Sequence, residues 1–231
     1  MKDFIHFLRG YQNIDTLLKT RSKLKLIALI LPTMLFVIVF TLLFQILLSR
    51  FGIIQPVKSS GMIPEYMGSM SKFRVITEIV ILAPVLEETA FRGLIQRNPR
   101  WFRISLVSIF YLSFCRIFGI NFYEFSISTG LVFLGSTITL LIPTNMIDLA
   151  INMLQKRVYS LILIWGGAIS FGLWHYYNFD FNNIGIITVI ATLLPFMING
   201  LLLGYVVAKN GLQWSILLHM ANNLWPLILW L

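Results

Sequence analysis

Residues 26–48 read LIALILPTMLFVIVFTLLFQILL and contain no charged side chain in 23 consecutive positions. A helix rises about 1.5 Å per residue, so a stretch of this length crosses the roughly 30 Å hydrocarbon core of a bilayer. A secretory signal peptide has a shorter apolar core followed by a cleavage site of small residues. The stretch therefore predicts an uncleaved transmembrane helix.

The whole chain shares this apolar character. Of its 231 residues, 58% are hydrophobic and 12% are charged, and the mean hydropathy is +0.83. Soluble domains carry about 25% charged residues, and a soluble fold of this size cannot bury so much apolar surface. The net charge of +9 comes from basic residues placed between apolar runs. This placement is typical of membrane topology signals, so we expect a bilayer and no nucleic acid as partner.

The apolar runs predict an all-α fold, a polytopic membrane helix bundle of about seven transmembrane helices. Six candidate spans follow the first, at about residues 75–94, 104–120, 126–148, 158–178, 184–207 and 212–230. We expect a basic cytoplasmic N-terminal segment over 1–25 and a single transmembrane domain over 26–231.

Charges in the connecting segments indicate the orientation. With the N-terminus in the cytoplasm, the predicted inner segments contain Arg97, Arg100, Arg103, Lys156, Arg157 and Lys209. The predicted outer loops, 121–125 and 178–183, contain Glu124 and Asp180 and no basic residue. Basic residues concentrate on the cytoplasmic side, so the alternation supports this orientation. The exception is the basic segment 49–74, interpreted as a loop because it contains Gly61, Pro64 and Gly68.

Ionisable residues inside the apolar runs are the candidates for function. A charge at mid-membrane costs at least ~2.5–3.5 kcal/mol and often marks a working site. The first group is Glu87, Glu88 and Arg92, in the sequence EETAFR. Glu88 and Arg92 are one helical turn apart and are expected to pair, which leaves Glu87 to face something else. The alternative is a helix end at which charged side chains reach the interface.

Two further groups lie on later apolar runs. Phe171 and His175 are four residues apart and share a helical face, as do His219 and Asn223. Close packing of neighbouring helices near His175 is predicted from glycines at positions 166, 167 and 172. Taken singly, each group is more typical of a structural histidine or a polar helix contact. Together with the glutamates they supply the parts of an amide hydrolase, because a glutamate and an imidazole can activate water while other donors stabilise an oxyanion.

At these residues the chain resembles the CAAX protease and bacteriocin-processing family (CPBP or Abi) of intramembrane glutamic endopeptidases. The family motifs Glu-Glu-x-x-x-Arg, Phe-x-x-x-His and His-x-x-x-Asn/Asp occur in order, and the resemblance covers about 75–225. It implies a membrane bundle with an intramembrane active-site cavity that cleaves a peptide or lipid-modified protein, without a cofactor or metal, in a bacterial cytoplasmic membrane. The implied roles are water activation by Glu87 and His175, oxyanion stabilisation by His219 and Asn223, and support by Glu88, Arg92 and Phe171.

The spacing of the motifs departs from the family pattern. The second motif usually follows the first by about one helix, but 87 positions separate Glu88 from His175, enough for two extra spans. An even number of crossings preserves the helix direction. The predicted helix ends still place Glu87 and His219 in the inner part of the membrane and His175 near the outer end. The site therefore assembles only if these ends shift by several residues.

Other interpretations use the same residues or the same scaffold. Glu87, His175 and His219 could hold zinc with one open position, although the His-Glu-x-x-His signature is absent. A non-cleaving bacteriocin-immunity or partner-binding protein could keep the scaffold, yet it has no need of five costly polar groups. A transporter would show repeated broken helices, and a serine or cysteine protease would show its own motif. The sequence indicates neither an oligomeric state nor the identity of a substrate.

Overall fold

The computed structural model of the chain describes residues 2–10, 20–59, 71–123 and 126–228. These ranges are mainly helical, as predicted for an all-α fold, and include one short pair of strands. Helix α1 spans Lys2–Leu8, and α2 spans Thr20–Arg50 with Pro32 inside it. Many apolar side chains of α2 are exposed, Leu29 at 65%, which fits a helix surrounded by lipid.

The acidic motif lies on a helix of mixed geometry. Helix α3 (Lys72–Val75) leads into a π-helical segment (Ile76–Leu82), then α4 (Ala83–Arg92) and a 3₁₀ turn (Gly93–Gln96). Glu78 interrupts the apolar pattern of the sequence, but it is 2% exposed and pairs with Arg74 at 2.7 Å. π-Helical turns are rare and occur frequently at functional sites.

The segment between the first two motifs is not a pair of straight spans. Helix α5 spans Pro99–Ile117, α6 spans Ile127–Ser136 and continues as a 3₁₀ segment (Thr137–Leu141), and α7 spans Thr144–Leu154. The chain bends by 85° between Leu141 and Thr144, which breaks the span predicted over 126–148. The residue at the bend, Pro143, cannot donate a backbone hydrogen bond. Arg103 Nη1 satisfies the carbonyls of Leu140 and Ile142 there, at 2.7 and 2.8 Å.

The other two motifs lie on the last helices. Helix α8 (Arg157–Leu161), a π-helical segment (Ile162–Gly166), α9 (Gly167–Trp174) and a 3₁₀ turn (His175–Asn178) form one continuous rod. Strand β2 (Phe179–Asp180) then pairs antiparallel with β1 (Lys58–Ser59), with Lys58 opposite Asp180. Helices α10 (Ile186–Asn210) and α11 (Leu212–Ile228) complete the bundle.

The structure supports part of the predicted set of membrane spans. Within the described ranges, three helices are long and apolar enough to cross a bilayer, Arg21–Arg50, Arg157–Asn178 and Ile186–Asn210, and the bent pair would make four. The predicted count of seven is not confirmed. The charged residues of α3–α5 make these helices less apolar, and the described part of α11 has 17 residues.

The basic segments meet at one end of the bundle. Arg157 Nε donates to the Arg9 carbonyl at 3.1 Å, and Asn210 Nδ2 donates to the Lys23 carbonyl at 3.2 Å. The strand pair lies at the opposite end, where Gln55 N donates to Thr188 Oγ1 at 3.2 Å. This arrangement fits the predicted alternation of sides, with Lys58 on the less basic side. Gly61, Pro64, Gly68 and Glu124 lie outside the described residues.

Glycines allow the helices that carry the motifs to touch. A Cβ on Gly167 would lie 2.8 Å from the Phe91 carbonyl oxygen, and one on Gly172 would lie 2.3 Å from Met197 Cγ. Side chains at these positions would force α9 away from α4 and α10, so the predicted close packing at these two glycines is confirmed. At Gly166 the prediction is wrong, since an added Cβ there would meet nothing within 4 Å.

Candidate active site

Glu88 lies at the centre of a buried hydrogen-bond network. Its Oε1 accepts hydrogen bonds from Arg92 Nη1 and, at 2.9 Å, from His219 Nδ1. Its Oε2 accepts from Ser215 Oγ at 2.5 Å. All four side chains are buried, and a carboxylate with three donors, one of them a cation, is suited to remain ionised. The predicted contact between Glu88 and Arg92 is confirmed.

Arg92 connects three helices at this point. Its Nε donates to the Gly200 carbonyl of α10 at 3.3 Å. The guanidinium carbon also lies 4.1 Å from the ring centroid of Phe171 on α9, close enough for a cation–π attraction. Phe171, predicted to support the site, therefore contacts the cation that pairs with Glu88.

Glu87 points away from this ion pair, as predicted. Its Oε1 accepts a hydrogen bond from the Tyr123 hydroxyl at 2.8 Å, and its Oε2 lies 3.9 Å from His219 Nε2. The second distance exceeds a hydrogen bond. It suits a water molecule that bonds to both atoms.

His219 contacts both glutamates through its two ring nitrogens. Because the Glu88 carboxylate can only accept, Nδ1 of His219 carries the proton of that hydrogen bond. In the neutral ring, Nε2 then presents a lone pair towards Glu87. In the imidazolium, Nε2 presents a second proton.

His175 adds a second imidazole beside this group. Its Nδ1 lies 2.8 Å from the Phe171 carbonyl oxygen, which can only accept, so Nε2 is the acceptor in the neutral ring. The ring stacks on Phe196 with 4.2 Å between centroids. Glu87 and His219 both lie within electrostatic range of it. This tautomer leaves Nε2 able to accept a proton.

Helix direction explains how residues predicted at different depths meet. Helices α4 and α9 run antiparallel and touch at Phe91 and Gly167. Side chains lean towards the N-terminus of their own helix. Glu87 and His175 therefore lean in opposite directions, towards each other, and the predicted mismatch in depth disappears.

Asn223 does not join the hydrogen bonds around the glutamates. Its Nδ2 donates to the Ile79 carbonyl in the first π-helical segment at 3.0 Å. One of its two amide protons is thus engaged in holding α11 against that segment.

Tyr123 is a site residue that the sequence analysis missed. It lies in the loop after α5, outside the membrane-spanning helices, and its neighbour Phe122 accepts a hydrogen bond from the Tyr111 hydroxyl at 2.6 Å. The Phe122 ring also packs on Trp174, 5.2 Å between centroids. Burial and the Glu87 carboxylate raise the pKa of Tyr123 well above its ordinary value, so the phenol remains a donor. A loop residue belongs to no helical pattern, so the sequence carried no signal for it.

The zinc interpretation needs a different arrangement. Across residues 2–10, 20–59, 71–123 and 126–228, no three His, Cys, Asp or Glu side chains are grouped so that they could hold a metal ion. Glu87, His175 and His219 lie near one another without forming such a group.

The chain also matches a model of a known protein family. The family model described as type II CAAX prenyl endopeptidase Rce1-like matches residues 70–225. The chain belongs to this family. All three motifs of the Rce1-like chain lie inside the matched range, whereas α1 and α2 lie outside it. Membership supports a CAAX protease-type function in an integral membrane protein and agrees with the resemblance noted in the sequence. No curated protein and no solved structure matches the chain significantly.

Proposed function

We propose that the chain is an intramembrane glutamic endopeptidase that hydrolyses a peptide bond in a peptide or lipid-modified protein. The observation that carries the proposal is the approach of His219 Nε2 to Glu87 Oε2 at 3.9 Å, with the acceptor nitrogen of His175 nearby. Glu87 and His175 are the two bases beside a position that suits one water molecule, and His219 Nε2 faces the same position. Glu87 is available for this role because Glu88 is occupied by Arg92, Ser215 and His219.

The chemical step follows general base catalysis. Glu87, assisted by His175, takes a proton from water while the water oxygen forms a bond to the carbonyl carbon of the substrate. The carbonyl oxygen becomes the oxyanion of a tetrahedral intermediate. The carbon–nitrogen bond then breaks, and the proton held by Glu87 passes to the leaving amine. The products are a free carboxylate and a free amine.

Stabilisation of the oxyanion is assigned to His219 and Asn223. As an imidazolium, His219 donates from Nε2 while Glu88 holds Nδ1, and Asn223 contributes the amide proton that Ile79 does not use. Preorganised donors of this kind are worth about 10²–10³ in rate each. His219 is oriented by its hydrogen bond to Glu88. Glu88 is held in turn by Arg92, which stacks on Phe171.

The proposed setting is a bacterial cytoplasmic membrane, with the basic segment 1–25 in the cytoplasm and one transmembrane domain over 26–231. Support comes from the contacts that bring Arg9, Lys23 and Arg157 to one end of the bundle, since basic residues concentrate on the cytoplasmic side.

The test compares the peptides of cells that make the wild type, Glu87→Gln or Glu78→Gln at equal membrane levels. Glu78→Gln is the matched control, because Glu78 is another buried glutamate of the same helix but pairs with Arg74. A peptide present with the wild type and Glu78→Gln, and absent with Glu87→Gln, would establish proteolysis at Glu87. Identical peptides in all three, repeated in the native host, would instead favour the non-cleaving immunity or binding role.

A further inference from the structure

Apart from the candidate active site, a cleft of about 280 Å³ between α5 and α9 is lined in part by an arginine, Arg116. Its apolar wall includes Phe91, Ile109 and Leu112, and its polar groups include Ser113, Arg116 and Ser170. Neither the proposed chemistry nor the three motifs use the polar side chains of this cleft.

Arg116 is the unusual member of the cleft. Its guanidinium carbon lies 4.4 Å from the Trp174 ring centroid and 4.3 Å from that of Tyr177. Its Nε is buried and, in the parts of the chain that the structure describes, has no hydrogen-bond acceptor. Arg92 Nη2 also lacks an acceptor in the described residues, but the Arg92 guanidinium pairs with Glu88. Arg97 donates to the Ser160 hydroxyl, and Arg103 donates to backbone carbonyls. Glu87 attracts Arg116 electrostatically, but in the described residues no carboxylate forms an ion pair with it. The Arg116 guanidinium therefore lacks the contact anion that normally offsets the cost of burying charge.

The cleft opens on an exposed apolar surface of the helix bundle. Leu173 on its rim is 51% exposed, and neighbouring Ile169 is 45% exposed. Phe122 and Trp174 lie over Arg116 on the side of Tyr123 and Glu87. A molecule that reaches Arg116 therefore enters from the bilayer.

The placement of charge along the cleft selects the kind of molecule. Arg116 lies near the end of α5, among tryptophan and tyrosine rings of the type that gather at the headgroup level. Ile109 lies two helical turns deeper, at about 10 Å along the axis. A cation at the interface above an apolar groove complements an anionic headgroup above a hydrocarbon chain.

We propose that this cleft binds an anionic phospholipid, with the phosphate on Arg116 and one acyl chain against Ile109 and Leu112. The Ser113 and Ser170 hydroxyls, which also line the cleft, supply further donors for the headgroup. A carboxylate of a peptide substrate would present the same charge to Arg116. The lipid is favoured because the cleft opens beside the exposed apolar side chains Leu173 and Ile169, and because Phe122 and Trp174 cover Arg116 elsewhere.

The test measures lipid retention and needs no substrate, so it does not depend on the proposed peptidase activity. The full chain is reconstituted with equal amounts of phosphatidylglycerol and phosphatidylcholine, extracted in mild detergent and analysed by native mass spectrometry. The wild type is expected to retain one phosphatidylglycerol with a preference of about fivefold, the effect of one arginine near an anionic lipid. Arg116→Gln is expected to lose this preference.

Two further variants make the test specific. Arg100→Gln removes one charge from the other end of α5, where Arg100 is exposed, and should keep the preference. Leu173→Trp fills the cleft while Arg116 stays in place, and it should lose the preference even if Arg116→Gln fails to fold. Equal retention by the wild type, Arg116→Gln and Leu173→Trp would overturn the proposal. So would loss of the retained phosphatidylglycerol from the wild type on addition of a short peptide with a free carboxylate, but not on addition of the same peptide as its amide.

Discussion

His219 and Glu87 approach each other at 3.9 Å between Nε2 and Oε2, while the opposite nitrogen of the same ring is bonded to Glu88 at 2.9 Å. The two adjacent carboxylates therefore lie on opposite sides of one imidazole ring and have different surroundings. Glu88 is surrounded by donors, and Glu87 retains an oxygen directed at the space between the helices. Adjacent carboxylates in a medium of low polarity otherwise repel each other, so this division explains how the pair is tolerated.

The two glutamates should respond differently to the same substitution. Glu87→Gln is expected to lower cleavage by about 10²–10⁴-fold, the usual contribution of a general base, and to leave the protein folded. Glu88→Gln should lower the amount of folded protein in the membrane, because it removes the charge that Arg92 and His219 contact. Cleavage assays and thermal unfolding in detergent measure both effects. The assignment fails if Glu87→Gln cleaves as well as the wild type.

Arg92→Ala should destabilise the bundle. It leaves Glu88 buried without its cation, and breaking a buried ion pair costs about 3–5 kcal/mol. Arg92→Lys is the matched control, which keeps the charge but loses the stacking on Phe171 and the bond to the Gly200 carbonyl. We expect its unfolding temperature to lie between those of the wild type and Arg92→Ala. Unfolding temperatures that are the same for all three proteins would contradict this role.

Tyr123→Phe should lower the rate of cleavage without changing substrate affinity. The hydrogen bond to Glu87 is made to a charged group and is worth about 1.5–3 kcal/mol, or roughly 10–100-fold in rate. The expected signature is a lower kcat with an unchanged KM. Phe122, whose ring packs on Trp174 in the same loop, serves as a comparison through Phe122→Leu, which changes the packing of the loop and keeps the phenol. A loss equal to that of Tyr123→Phe would show that loop packing, and not the phenol, is responsible.

The same phenol predicts a pH dependence of stability. Its pKa is raised in the folded state, so above about pH 10 the unfolded chain loses this proton first. Stability from this group is complete below about pH 10 and is lost as the pH rises further. Unfolding of the wild type should therefore become easier above that pH more steeply than unfolding of Tyr123→Phe. Parallel curves would contradict the burial of the hydroxyl.

Asn223→Ala should affect stability as well as activity. It removes the donor to the Ile79 carbonyl, and a buried polar group without a partner costs about 1–3 kcal/mol. A residue that served only the oxyanion would lower kcat and leave the unfolding temperature unchanged. Measuring both quantities on one purified sample separates the two roles.

Chelators provide the test of the zinc interpretation. Cleavage is expected to persist after treatment with 1,10-phenanthroline, because the acidic and histidine side chains are not grouped as metal ligands in the described residues. Loss of activity that zinc restores would overturn the glutamic mechanism and favour Glu87, His175 and His219 as ligands.

Two features could be predicted from the sequence: contacts between residues of the same helix, and the helical membrane character of the fold. The pairing of Glu88 with Arg92 follows from a spacing of four residues, and the apolar runs specify a helical membrane protein. The alternating basic segments also indicated which ends of the helices would meet.

Contacts that depend on geometry between elements could not be predicted. At the bend, Arg103 donates to the Ile142 carbonyl, 39 positions away along the chain. The bond from Tyr123 to Glu87 joins a loop to a helix across 36 positions. The relative depth of His175 and Glu87 depends on the lean of side chains on antiparallel helices, which hydropathy does not describe.

Gly167 has a consequence that extends beyond packing. The nearest atom that its missing side chain would meet is the Phe91 carbonyl oxygen, one position before Arg92 and four after Glu87. A methyl group at this position would push the helix that carries His175 away from the helix that carries Glu87. A substitution can therefore inactivate the protein without touching a reacting group. We expect Gly167→Ala to lower cleavage as severely as a substitution of Glu87 or His175.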